Sequence, residues 1–248
     1  MSAVAPLVSI ITPTFERQQF LPFVAQCVLG QSFSDFEWLV LDDSARPSSF
    51  MQKLADPRVV YEHTIGQKRN WLVERARGKI IAQFDDDDFY ARDYLAKMKS
   101  AMDESNADIV KLFGFFLYSK LWKTFGYWDL TTKVGPHWVW SADPPNFVML
   151  TPSNNIHFKD SHLGFGFSFL FKKSVWEHGP FPDLNFNEDG AFVLSALKRF
   201  KLKGVQDDHC TSIHVLHQSN TSHCFPQFVF PGFLVSRLFP DAGGLLSV

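Results

Sequence analysis

The chain has 248 residues, 46% of them hydrophobic, which is enough apolar material for one sizeable core. A formal net charge of -2 supplies no basic footprint of the kind nucleic acid demands, so no nucleic-acid partner is expected. Three cysteines, Cys27, Cys210 and Cys224, are odd in number and too sparse for a disulfide scaffold, and they fit a reducing cytosol.

The short uncharged segment Met1 to Pro6 runs straight into Leu7 to Thr12, an apolar, β-branched run that predicts a buried strand. No secretory leader is expected, and no apolar stretch approaches the roughly 20 residues that span a bilayer. A cytoplasmic location follows, with peripheral membrane contact left open. Gln18 to Leu29 carries Leu21, Val24, Ala25 and Val28 at helical spacing. Glu37 to Leu41 predicts a second strand, Val59 to Tyr61 a third, Trp71 to Ala76 part of a helix, and Lys79 to Phe84 a fourth strand. Such alternation predicts an α/β fold with a mostly parallel central sheet flanked by helices. Ligands collect at the carboxyl ends of strands in sheets of this kind. Here those ends carry Thr12-Pro13-Thr14, Asp42-Asp43-Ser44 and Asp85-Asp86-Asp87-Asp88. Regularity is lost after about Lys111, where Trp122, Trp128, Trp138 and Trp140 lie in a stretch rich in Pro, Gly and Asn.

Four consecutive aspartates are costly to place together, because like charges within about 4 to 6 Å raise one another's pKa unless a cation compensates. Mg²⁺ or Mn²⁺ held by one or two carboxylates and a ligand's phosphates would do so. The plainer alternative is an acidic turn in which Asp88 caps a helix over Phe89 to Met98. Asp42-Asp43 is either an ordinary acidic turn or an acceptor for a base or ribose hydroxyl. Lys68 and Arg69 are placed to neutralise a diphosphate, whereas Arg75 reads as part of a solvated face. Asn187-Glu188-Asp189-Gly190 precedes Ala191 to Leu197, so its carboxylates sit at a helix start, where the dipole favours them; a general base is the alternative. His209, Cys210, His214, His217, His223 and Cys224 match no paired-ligand zinc spacing; one of these histidines is an extra ligand to a catalytic ion, or all are surface or packed residues. Walker, GxGxxG, GxSxG and HExxH motifs are absent, and Gly164-Phe165-Gly166-Phe167 is only a fragment of a phosphate loop. Asn220-Thr221-Ser222 matches a glycosylation acceptor by chance.

Val8 to Phe15, Gln31 to Glu37, Val40 to Ser44, Phe84 to Asp88 and Asn187 to Asp189, in this order and spacing, resemble the family 2 inverting glycosyltransferases of the GT-A fold. The resemblance is strong over 7 to 100 and recovers around 165 to 200. It implies one domain over 1–248, with a nucleotide-sugar half at about 1–110, an acceptor half at about 111–223 and an aromatic tail at 224–248. It further implies that Thr12, Thr14 and Phe15 line the base pocket, that Asp43 binds the base, and that Asp85 meets the ribose with Asp86 alongside. Asp87 would coordinate Mn²⁺ or Mg²⁺, with His217 as the late histidine near the diphosphate. Asp189 would be the base, with Glu188 beside it. Where the family often has an aromatic followed by Asn, this chain has Phe15-Glu16-Arg17.

The reaction so implied is one in-line displacement that moves a sugar from a UDP-sugar to a hydroxyl of a glycan or lipid-linked acceptor. A non-catalytic sugar-binding module and a sugar nucleotidyltransferase are the competing readings. The tryptophans either stack on sugar rings or fill the core. Phenylalanine is abundant, with 27 copies. Those between Phe225 and Phe233 form a tail expected to pack on its own domain, with a second subunit or a membrane surface as alternatives.

Overall fold

The structure, a computed structural model, describes residues 4–46, 48, 50, 64–140, 145–155, 160–218, 220 and 223–244. The expected strand at Val59 to Tyr61 lies outside the described residues.

Strand β1 (Val8–Thr14) is buried along its whole length and lies between two parallel neighbours, β2 (Phe36–Asp42) and β3 (Ile80–Gln83). Its residues serve both faces. Val8 and Ile10 enter one core, with Ile80 and Ala82 of β3, while Ile11 and Ile81 enter the other. A strand covered on both sides reads as a continuous apolar run, which is why Leu7 to Thr12 shows no alternation. Registry sets the site. Thr14 stands opposite Asp42, Ile11 opposite Gln83, and the Phe84 amide donates to the Ile11 carbonyl, so the three polar strand ends emerge together.

Helix α1 (Leu21–Leu29) starts later than the periodicity suggested, because Pro22 favours the first turn of a helix and Phe20 takes the cap. Helix α2 (Ile65–Arg75) begins ten residues upstream of its last residue in a reciprocal capping box between Thr64 and Gln67, and Thr64 also donates to Asp183 at 2.6 Å. Beyond the acidic turn the expected helix over Phe89 to Met98 is corrected: Phe89–Tyr90 is a short strand, β4, and helix α3 runs over Tyr94–Ser105. Asp88 therefore caps nothing. It is fully buried and accepts from the His214 ring and the Val215 amide.

The long strand β5 (Ile109–Ser119) pairs antiparallel with β6 (Thr124–Asp129). A second, two-stranded sheet joins β7 (Gly135–Val139) to β8 (Asn146–Leu150). Strand β9 (Leu170–Lys172) lies antiparallel between β3 and β5, and is followed by α4 (Lys173–His178) and α5 (Glu188–Ala196). Strands β10 (Leu202–Gln206) and β11 (Ser212–Leu216) run parallel to β5. At the sheet edge, β12 (Phe228–Phe230) pairs with β6 and precedes α6 (Phe233–Leu238). Helices α1 and α3 cover one face, α2, α4 and α5 the other.

Trp128 and Trp140 are core residues, whereas Trp122 and Trp138 are exposed. The aromatic tail is likewise divided. Cys224, Val235 and Phe239 are buried, while Phe228, Val229 and Phe233 face outward. Lys111 is the unusual core member: it is fully buried on β5, its ammonium donating to the His162 carbonyl at 2.7 Å and lying 5.4 Å from the centre of the Phe113 ring. Among the described residues no helix is long and apolar enough to cross a membrane.

Candidate functional site

A cleft of about 860 Å³ opens over the carboxyl ends of β1 and β3. Asp85, Asp86 and Asp87 form one wall, and Glu188 and Asp189, at the start of α5, belong to the other. The two acid groups are joined by Arg69 of α2. Its guanidinium pairs with Glu188 and approaches Asp85 at 3.6 Å. Arg69 and Glu188 are both buried, so each charge depends on the other.

The acidic turn is held from several sides. Tyr90 accepts from the Asp85 amide and donates to the Phe167 carbonyl, both at 2.9 Å, which ties this wall to the Gly164–Phe167 loop. Thr14 donates to Asp86 at 2.5 Å. One Arg17 nitrogen bridges Asp86 at 3.1 Å and Asp87 at 2.7 Å, and the His217 ring reaches the same Asp87 oxygen at 2.8 Å. Burial first, then mutual repulsion, raises the Asp85 carboxyl to about 7 and Asp86 to about 6. Burial would raise Asp87 as well, but the His217 hydrogen bond and the Arg17 charge outweigh it and hold that carboxyl below the usual range. Asp87 is thus the carboxyl of the cleft wall whose ionised form its neighbours favour most.

On the opposite wall Asp189 accepts from the Gly166 amide at 2.7 Å and from its neighbour Gly190 at 2.6 Å. Burial, together with the adjacent Asp189 charge, raises Glu188 despite Arg69. Two non-glycine residues with left-handed backbone, Phe165 (φ 63°) and Asn187 (φ 61°), flank this arrangement, a conformation that concentrates at functional sites. Gly166 has no room to grow. An added Cβ would stand 2.8 Å from Gln83 Nε2, 3.1 Å from Asp189 Cβ and 3.3 Å from Arg69. Gly166→Ala is therefore expected to displace Asp189 and lower activity about 10-fold or more. Steady-state rates measured beside the melting temperature will separate that displacement from a general loss of fold.

The remaining sequence candidates fall at different depths. Phe15 lines the cleft and is half exposed. Asp43 is buried and pairs with Lys68 at 2.5 Å, the Lys68 ammonium lying 5.1 Å from the Phe15 ring centre. Lys68 is thus engaged by Asp43 behind the cleft wall. Thr12 is fully buried, accepts from the Trp38 indole at 3.0 Å and does not line the cleft. Arg75 sits at the surface, stacked 3.8 Å over the Trp71 ring. Among the described residues no group of three or more His, Cys, Asp or Glu side chains is arranged to hold a metal unaided. Asp87 and His217 meet at one point, where a carboxylate oxygen and an imidazole nitrogen could turn to a divalent ion whose shell phosphate oxygens would complete.

The roles of three contributors escaped the sequence reading. Arg17 belongs to no motif, and its bridge between two aspartates depends on the turn after β1. The Gly164–Phe167 loop carries no phosphate motif, yet it presents an amide to Asp189. His214 stacks on Phe167 at 4.9 Å and anchors Asp88, a pairing across 126 residues that no local pattern reveals.

A mixed α/β sheet with helices on both faces, an acidic turn at a central strand end and a second acid pair across the cleft define the GT-A class of folds. The chain belongs to glycosyl transferase family 2, whose model matches residues 9–179. It is 26% identical over 211 residues to the uncharacterized glycosyltransferase EpsJ of Bacillus subtilis, covering 78% of this chain and 56% of EpsJ. Among solved structures it resembles TarS of S. aureus in complex with UDP-GlcNAc, with a TM-score of 0.59, 14% identity, and coverage of 86% of this chain and 59% of TarS. The mannosyltransferase PcManGT of Pyrobaculum calidifontis, in complex with GDP-Man and Mn²⁺, also gives a TM-score of 0.59, at 15% identity, covering 88% of this chain and 59% of PcManGT. The chain spans less than two thirds of the length of these proteins.

Proposed function

We propose that this chain is an inverting, metal-dependent glycosyltransferase that moves a sugar from a UDP-sugar to a hydroxyl of a glycan or lipid-linked acceptor. The observation that carries the reading is the single cleft with Asp85, Asp86 and Asp87 on one wall and Glu188 and Asp189 on the other, bridged by Arg69. An acid pair on another face of the molecule would have had no substrate in common with the turn.

Electrostatics favours a cation in that cleft. Its lining carries Asp85, Asp86, Asp87, Asp160, Glu188 and Asp189 against only Arg17 and Arg69 as permanent positive charges, an environment hostile to an anionic diphosphate on its own. Asp87 and His217 would hold Mn²⁺ or Mg²⁺, which would neutralise charge developing on the leaving nucleoside diphosphate. Phe15 lies over the nucleobase, with Asp43, Thr12 and Thr14 shaping the base pocket from behind it. Asp85 and Asp86 meet the ribose side, Arg69 contributes positive charge, and Lys68 holds Asp43 from behind the wall. Asp189, fixed by the Gly166 and Gly190 amides, accepts the acceptor hydroxyl proton as that oxygen attacks the anomeric carbon, and the diphosphate departs from the opposite side with inversion. Positioning and charge stabilisation supply most of the acceleration. The division into a donor half at about 1–110 and an acceptor half at about 111–223 belongs to the same proposal.

The relatives solved with nucleotides differ in their base, UDP in one and GDP in the other, so the test must include both. Titration of the protein with UDP and GDP, each with Mn²⁺ and then with excess chelator, is expected to show UDP binding that needs the ion. At a ligand excess of 100-fold over Kd, UDP should stabilise the fold by about 2.7 kcal/mol, and chelation should remove that gain. Binding of neither nucleotide with any divalent ion would end the donor assignment.

A further inference from the structure

We propose that the turn before β6 and the outer face of α6 together form a docking surface for an anionic lipid bilayer. The purpose assigned to it, bringing a lipid-borne acceptor to the cleft, rests on the transferase reading above.

Two segments far apart in sequence build this surface. Strand β12 pairs with β6 so that Phe230 faces Phe125, which carries the following residues past the turn that enters β6. Gly232 arrives within van der Waals distance of the Lys123 carbonyl, 3.9 Å from where a Cβ would stand. Trp122, 37% exposed, and the exposed Lys123 therefore lie beside the start of α6. On that helix Val235 is buried against the body, while Phe233 and Arg237, one turn apart, point away from it, Phe233 being 68% exposed and followed by the exposed Leu238. Trp122 and Phe233 thus bring two outward apolar side chains to one surface, the kind of grouping that marks an interface when rimmed by charge.

Charge selects the occupant. The chain as a whole carries -2, yet this surface gathers Lys120, Lys123 and Arg237. Burial, and then the adjacent Lys123 charge, holds the Lys120 ammonium below the ordinary lysine range, which places the two lysines within electrostatic reach of each other. Tryptophan and phenylalanine at the depth of lipid headgroups, framed by lysine and arginine, match a bilayer with negative lipids better than a second copy of an acidic protein. Location supports the same occupant. The Lys120 ammonium lies 5.7 Å from the Phe20 ring centre, Phe20 stacks on His217 at 5.2 Å, and His217 reaches Asp87. Three side-chain contacts thus connect this surface to Asp87 of the acidic turn.

Sedimentation with vesicles tests this directly, using the full chain and two variants, Lys123→Glu/Arg237→Glu and Phe233→Ser. None of these residues belongs to the cleft. The parent should bind vesicles of phosphatidylcholine containing about 25% phosphatidylglycerol, weaken as salt is added, and ignore phosphatidylcholine alone. The charge-reversed variant should lose at least about 10-fold in vesicle affinity, and Phe233→Ser should lose affinity with less change in salt dependence. UDP binding with Mn²⁺, measured on the same samples in solution, should be unchanged in both variants. Equal partition to neutral and anionic vesicles, or undiminished binding by the charge-reversed variant, overturns the proposal. So does a parent dimer in sedimentation velocity that the Phe233→Ser variant dissolves. If vesicles bind as expected and UDP does not, docking stands and the transferase reading falls.

Discussion

Replacing Asp189 by Asn is expected to cut sugar transfer by about 10²- to 10⁴-fold while leaving nucleotide binding in place. The amide cannot take a proton from the acceptor hydroxyl, but it has nearly the shape of the carboxylate. One oxygen can still accept from Gly190 or Gly166, so the start of α5 should survive with one hydrogen bond weakened. Glu188 cannot easily stand in. It is buried and committed to Arg69, whereas Asp189 is half-buried and lines the cleft. Initial rates with saturating donor, set beside the calorimetric affinity for UDP and Mn²⁺, decide the matter. Transfer that survives in Asp189→Asn and disappears in Glu188→Gln would move the base by one residue.

Arg69→Met should be the most damaging single change to the fold, with a loss of about 3 to 5 kcal/mol. Removing one partner of a buried pair leaves the other charge without compensation. Here the orphan would be Glu188, and Asp85 would lose its nearest cation at 3.6 Å. Methionine fills much of the same space, so the loss reports charge more than volume. The double change Arg69→Met/Glu188→Gln should recover a large part of the stability without recovering activity. Urea midpoints of the three proteins measure both effects. A double variant no more stable than Arg69→Met would show that Arg69 acts chiefly by packing.

The parts of the molecule legible from sequence are those in which neighbours along the chain do the work. The β1 to β3 unit, the acidic turn and the Asn187-Glu188-Asp189 helix start all announce themselves within a few residues, through apolar runs, caps and clustered charge. The Thr64–Gln67 box likewise accounts for α2 extending well before Trp71. What stayed hidden depends on pairing across the fold. Asp88 looked like a helix cap because its local sequence permits one, but burial beside β11 gives it His214 instead, and the following residues pair as a strand. Arg17 resembles any surface arginine until the β1 end places it between two carboxylates. Irregularity after Lys111 was a misleading sign, since Ile109–Ser119 is one long strand buried on both faces and so shows no alternating pattern.

The amine sealed inside β5 also bears on how the protein answers to alkalinity. Burial, opposed only in part by the negative charge of Asp189, lowers Lys111 from 10.5 to about 7. Between those two values the unfolded chain binds a proton there that the native chain sheds, so this residue's share of stability improves as the solution becomes more basic across that window. Lys111→Met should therefore gain most over the parent in mildly acidic buffer, with the advantage shrinking toward pH 9 in paired urea titrations.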